Sequence, residues 1–135
     1  IGAPPGEAGW RVNVPDLVHH GETLTSVRLK DMSLSTSACT EKFFIKNGHR
    51  YCHILNPRTE RPVEDKLQTT VTAPSTTDSD ALSTATFVLE PEAAAKLVDS
   101  FDGAAALMVS GGQAHPAYKS VRWPGELRIK GGVRQ

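Results

Sequence analysis

No stretch of this chain approaches the ~18 consecutive apolar residues that a membrane-spanning helix needs. An excess of one charge is missing too. Fifteen basic residues balance fifteen acidic ones, and a pI near 7.1 argues against generic attraction to nucleic acid or anionic membranes. The chain opens IGAPPGEAG, with no initiating Met and no basic region of the secretory-signal type. That opening reads as the interior of a longer protein or as a processed chain. There is no CxxC, no Gly-rich phosphate loop and no nucleophile elbow, and Gly111-Gly112 reads as a turn. Cysteine is scarce: Cys39 and Cys52 are alone. The hairpin register given below separates them by roughly four residues, on the order of 13 Å against a ~7 Å limit for a bridge. Two free thiols are expected.

What remains is a 135-residue chain of ordinary single-domain size, with no internal repeat or long linker. WRVNVP (10–15) alternates apolar and polar residues and stops at Pro15, as a short strand does. Residues 23–45, rich in Thr, Ser, Val and Leu, read as two strands broken near Asp31. Asn47-Gly48 then supplies a hairpin turn, because both central positions of a type I′ turn need positive φ. Centring the turn there pairs Phe44 with Tyr51 and Lys42 with His53, and it brings Thr36 near Thr59. LQTTVTAP (67–74) reads as another strand. Asp78, Ser79 and Asp80 suit a helix start, with Asp78 a candidate cap. Pro91 suits the first turn of a second helix, which ends by Gly103. AAALMV (104–109) reads as a buried strand and ELRIK (126–130) as one more. The class is therefore α+β: a mixed, mainly antiparallel sheet with two helices packed on it, over residues 1–112, followed by a 113–135 tail.

Chemistry concentrates in YCHILNPRTERP (51–62). His53 ends a strand that runs into a Pro-containing turn. It is either an ordinary surface histidine or a base, since a neutral imidazole accepts protons at physiological pH. His19, His20, His49 and His115 have no comparable setting. Asp80 and Thr84 lie four apart and share one helix face. They are either a hard-oxygen pair suited to Mg²⁺, or a first-turn acid favoured by the helix dipole and a threonine bonded back to a carbonyl. STSAC (35–39) is either a hydroxyl-lined edge for a phosphate or a β-favouring polar strand. Arg58, Arg61 and Lys66 either attract an anion or form a solvated loop.

Taken in order, SLSTSACTEKFFIKNGHRYCHILNPRTERPV, then TTVTAP, then SDALSTATFVLEPE, resembles the C-terminal half of the ApbE family, the FAD:protein FMN transferases. That family's pattern there is roughly A-T-S-G, a strand pair, H-x-x-D-P-x-T-G-x-P, a V-T-V strand and a D-A-x-x-T helix. GWRVNVP is similar to its W-x-V-x-I-x-x-P strand. The resemblance implies FAD as substrate, Mg²⁺ as cofactor, and transfer of FMN to a Thr or Ser of an acceptor flavoprotein. On matching positions it implies Asp80 and Thr84 as metal ligands and His53 at the reaction centre. Leu55 and Thr59, with His53, would contact FAD. It also implies an exported location, periplasmic or membrane-anchored as a lipoprotein; a cytoplasmic location is the alternative. Three positions depart from the pattern: Asn56 replaces Asp, Glu60 replaces Gly on a turn that favours positive φ, and Ala38 replaces Gly. The family's preceding half, with its flavin-binding segments and a further metal ligand, has no counterpart here. The chain is thus expected to be a fragment or one subunit of a split enzyme, inactive alone. The alternative is a non-catalytic flavin- or partner-binding domain.

Overall fold

The computed structural model describes residues 2–40, 42–111, 116–129 and 133–134. In chain order the strands before the helices are β1 (Trp10–Pro15), β2 (Thr23–Leu29), β3 (Ser33–Ala38), β4 (Phe43–Lys46), β5 (His49–Cys52), β6 (Leu55–Asn56), β7 (Arg61–Pro62) and β8 (Lys66–Ala73). Helices α1 (Thr76–Val88) and α2 (Pro91–Asp99) follow, then β9 (Ala105–Ser110), β10 (Ala117–Val121) and β11 (Val133–Arg134). A five-stranded sheet in the order β11-β10-β9-β8-β3 forms the centre, antiparallel except where β10 meets β11. Three two-stranded pairs, β1-β2, β4-β5 and β6-β7, surround it.

Side-chain alternation along the sheet gives it two apolar faces. On one, Val71, Ala73, Ala106 and Met108 pack against Leu82 of α1 and Ala94 and Val98 of α2. On the other, Leu67, Leu107, Val109 and Tyr118 meet Leu24 of β2 and the partly buried Trp123 and Leu127. Leu67 and Val71 would share a face in a regular strand; the register shift between Lys66 and Gln68 puts them on opposite ones. The result is helices, sheet and hairpin in three layers around β8, seven of whose eight residues are buried.

Local chemistry accounts for the element ends. The break between β2 and β3 falls at Asp31, at φ +52°, and the β4-β5 turn has Asn47 at φ +53° and Gly48 at +80°. That turn sets Phe44 opposite Tyr51, with their rings stacked at 5.0 Å. Pro91 stands at the start of α2, where its missing N–H costs no helical hydrogen bond.

Four sequence-based expectations need correction. First, β3 does not continue into the hairpin. It pairs with β8, which puts Thr36 opposite Thr70, so the hairpin register does not carry it alongside β5 towards Thr59. Second, and for the same reason, the cysteines are not free. Cys39 is held to the sheet edge by its N–H to Leu67 O at 3.0 Å, and the chain then leaves the sheet before β4 begins opposite Cys52. That fold-back brings the two Cα atoms to 5.4 Å, and the sulfurs form a disulfide. Third, the strand after β9 is Ala117–Val121, while residues 126–129 form none; residue 130 lies outside the described residues. Fourth, α1 starts earlier than Asp78. Ser75 is its cap, and its Oγ accepts the Asp78 N–H at 3.4 Å.

Candidate functional site

Capping by Ser75 decides where the helix face points. It leaves Asp78 as the first-turn acid and puts Asp80 in the second turn, so the helix dipole does not account for Asp80. The buried stripe of α1 is Ser79, Leu82, Ser83, Thr86 and Phe87, at helical spacing. Its upper part is made of serines because it lies on serines. Ser33, Ser35 and Ser37 alternate along β3 and meet the helix through hydroxyls. Ser33 Oγ donates to Ser79 Oγ at 2.9 Å, and Ser37 Oγ lies 3.0 Å from Ser83 Oγ. The STSAC run thus spends its serines on the helix, while Thr36 turns away to Thr70, 2.9 Å between hydroxyls.

The last members of this hydroxyl contact are the candidate metal ligands. Ser35 Oγ donates to Asp80 Oδ1 at 3.2 Å, and Thr84 Oγ1 lies 3.1 Å from Ser37 Oγ. Asp80 and Thr84 are both exposed, one turn apart on the same side of α1. Thr84 meets β3 where a backbone carbonyl was the alternative; Ser79, Ser83 and Thr86 make the back-bonds, to Thr76, Asp80 and Leu82 carbonyls.

His53 follows β5. Its backbone N–H donates to the Lys42 carbonyl at 3.1 Å, which extends the hairpin register to the expected Lys42–His53 pair. Its Nδ1 lies 3.1 Å from the same oxygen. A carbonyl only accepts, so Nδ1 carries a proton, and in the neutral form of the ring the lone pair is on Nε2. His53 and Lys42 line a hollow of about 450 Å³ with Ser37 and Ala38 of β3 and Thr84 of α1.

Thr84 is also in the wall of a larger groove, about 680 Å³, between Leu55, Asn56, Pro57 and Arg58 on one side and Ala81, Ala85 and Val88 on the other. Thr59 stands beyond it, in a hollow of about 530 Å³ shared with Asn56, Arg61 and Lys66. Glu64 and Glu90 line that hollow too, so its charge is mixed. Burial pushes the Lys66 ammonium down from its usual pKa while Glu90 and Glu92 pull it back, and its Nζ donates to Leu89 O at 2.9 Å.

The structure therefore brings His53 and Thr84 to one hollow and Leu55 and Thr84 to the next. Asp80 lines a further hollow of about 400 Å³ with Ser35 and Thr76. Thr59 lines none of the hollows that His53 or Thr84 lines. Sequence reasoning missed the Lys42 carbonyl as the group that orients His53, although the hairpin register had paired the two. It also missed Ser83; the Ser79-x-x-x-Ser83 spacing was its signal.

The two departures in the turn have structural readings. Asn56 Oδ1 accepts the Arg58 N–H at 2.9 Å, and Asn56 O accepts the Glu60 N–H at 2.8 Å. An amide oxygen does here what a carboxylate would do. Glu60 has φ +56°, a conformation that favours glycine.

For a divalent cation, Asp80 and Thr84 offer one carboxylate and one hydroxyl. That donor set suits Mg²⁺, which takes few protein ligands and keeps positions for phosphate and water. It is not a closed site: among the described residues no group of three or more His, Cys, Asp or Glu could hold a metal.

A family model described as the ApbE family matches residues 1–108. The chain belongs to the ApbE family. It is 37% identical over 102 residues to a FAD:protein FMN transferase of Treponema pallidum (strain Nichols), covering 74% of this chain and 28% of that protein. It is 31% identical over 103 residues to one of Escherichia coli (strain K12), covering 75% and 29%. The chain thus spans less than a third of the length of these ApbE relatives. Among solved structures, the apo form of Pseudomonas stutzeri flavinyl transferase ApbE superposes with a TM-score of 0.71 at 32% identity, over 90% of this chain and 37% of that one. An ApbE protein of Thermotoga maritima gives 0.69 at 34% identity, over 82% and 37%. The mainly antiparallel sheet with two helices is an ApbE fold in part.

Proposed function

We propose that the complete protein transfers FMN from FAD to a Thr or Ser of an acceptor flavoprotein, with AMP leaving, in a Mg²⁺-dependent reaction. The observation that carries this reading is the meeting of His53 and Thr84 at one hollow, in a chain whose ApbE relatives are FAD:protein FMN transferases. His53 takes the proton of the acceptor hydroxyl on Nε2, while the Lys42 carbonyl holds the ring. The acceptor oxygen then bonds the flavin-side phosphorus as the pyrophosphate bond breaks. Asp80 and Thr84 would hold Mg²⁺, which supplies charge neutralisation at the diphosphate. Leu55 and the apolar groove would take part of FAD, with Thr59 in the adjoining hollow. The remaining metal ligands and flavin contacts come from polypeptide outside this chain, as its other half or as a complementary subunit. The chain alone is inactive.

The location proposed is exported, periplasmic or membrane-anchored. The Cys39–Cys52 disulfide supports it, because such bonds persist in oxidising compartments. No described helix is long and apolar enough to cross a membrane. Finding the source protein only in the cytoplasmic fraction would overturn this placement.

A second reading, a flavin- or partner-binding domain without turnover, is favoured by Glu60 at φ +56° where the family pattern has Gly. Incubating the full-length protein with FAD, Mg²⁺ and an acceptor flavoprotein separates the two. Covalent flavin on the acceptor, lost with Asp80→Ala, supports transfer; bound FAD without covalent product supports the second reading.

A further inference from the structure

The hairpin that leads into His53 is poorly anchored. Among the described residues, β4 and β5 pair only with each other. Much of the hairpin faces solvent: Phe44 is 54% exposed and Ile45 65%. Its links to the body are concentrated at Cys52. The Cys52 N–H reaches Val63 O at a long 3.4 Å, and Arg50 Nη1 donates to Cys39 O at 3.2 Å. The covalent link is the disulfide. Cys39 and Cys52 are buried in a small apolar cluster with Val63 and Phe87, against the partly buried Ile54 and Val88.

Both cysteines adjoin the His53 hollow in sequence. Ala38 and Thr40, either side of Cys39, line it, as do His53 and Ile54, which follow Cys52. Thus one bond joins the end of β3, whose serines place Thr84, to the residue before the imidazole. We propose that Cys39 and Cys52, as a disulfide, are positioning residues for His53: the bond sets the imidazole against the Thr84 wall of the hollow. The proposal rests on the reading of that hollow as the transfer site. A dithiol reverses the bond. It gives two electrons and two protons, becoming a disulfide itself, while Cys39 and Cys52 become thiols and the hairpin is freed. Burial of both sulfurs means that this exchange follows local opening and is slow in the folded protein.

The test compares the full-length protein with its Cys39→Ala/Cys52→Ala, His53→Gln and triple variants. Amide hydrogen exchange should rise about tenfold or more across residues 43–52 of the double variant, with β8 and β9 unchanged. The kcat for flavin transfer should fall about tenfold to a hundredfold, because small misplacements of a reacting group cost that much, while KM for FAD stays within about twofold. In the His53→Gln background the same cysteine changes should cost less than about twofold, since the disulfide acts through His53. Unchanged hairpin exchange would overturn the proposal, as would a full additional loss in the His53→Gln background. If β8 and β9 lose protection in the double variant, wild type reduced with dithiothreitol replaces it, with the same outcomes deciding. If wild type transfers no flavin, the reading of the site fails, and hairpin exchange alone decides the positioning.

Discussion

The imidazole Nδ1 of His53 lies 3.1 Å from the Lys42 carbonyl oxygen, and that contact leaves Nε2 as the basic atom of a neutral ring. His53→Gln keeps a polar side chain of similar reach but removes the base proposed for transfer. Flavin transfer by the full-length protein should fall by roughly 10²–10⁴-fold, the usual worth of a general base, with little change in FAD binding. Single-turnover transfer beside an equilibrium FAD titration reads both quantities. A loss of FAD binding equal to the loss of rate would assign His53 to the binding of FAD alone.

Ser83 is buried on the face of α1 that meets β3, 3.0 Å from Ser37 Oγ. Ser83→Ala should cost about 1 kcal/mol, because it removes the contact with Ser37 Oγ and the back-bond to the Asp80 carbonyl. Ser83→Leu should cost more, about 1–3 kcal/mol from overpacking against β3, and with Thr84 displaced from the proposed metal site it should raise the Mg²⁺ concentration needed for half-maximal transfer. Urea melts and a Mg²⁺ titration of transfer rate check the two effects separately.

Glu60 holds φ +56° in an exposed turn. Glycine relieves left-handed strain of about 1–2 kcal/mol but gives back part of it through a freer unfolded chain. Glu60→Gly should therefore stabilise by about 0.5–1 kcal/mol net. A denaturation midpoint that falls would show that the Glu60 side chain contributes more than its backbone costs.

Asp16 stabilises the turn after β1. Its Oδ1 accepts the Val18 N–H at 2.8 Å and the His19 N–H at 3.1 Å, and its Oδ2 meets His19 Nδ1 at 3.0 Å. Burial pushes its pKa up, but the hydrogen bonds from His19 and Val18 outweigh this and hold it below the ordinary 3.8. A carboxyl whose folded pKa is depressed stabilises the fold fully above its unfolded pKa, and that stability is lost as pH falls through the folded one. Asp16→Asn should cost about 1–3 kcal/mol at pH 7, and the gap to wild type should close below pH ~4. Urea midpoints across that range test it; a gap that stays constant with pH would sink the idea.

Elements marked by local chemistry were legible in the sequence. The Asn47-Gly48 turn, the Asp31 break and Pro91 each fix a backbone angle within a few residues, and the Phe44–Tyr51 register follows from the turn. The Asp80/Thr84 face was legible too, because helical spacing alone puts them together. What local pattern could not reveal was the partner of β3. Continuing the hairpin register through Cys39 ran β3 alongside β5, whereas it pairs with β8 some thirty to forty residues away, as Thr36↔Thr70 shows. The disulfide depends on that non-local choice. The tail went wrong for a related reason. ELRIK alternates well, but AYKSV is the segment that pairs with β9, at Tyr118↔Val109.

The serines between β3 and α1 carry a consequence for how such a chain can change. A hydroxymethyl group has few rotamers to lose, so fixing it costs little conformational entropy. Helix and strand are spaced by facing hydroxyls, and the carboxylate at 80 and hydroxyl at 84 bond to strand serines instead of to a loop. A substitution that shifts them must first make room inside the molecule. Stability and the placement of Asp80 and Thr84 therefore rest on the same few atoms.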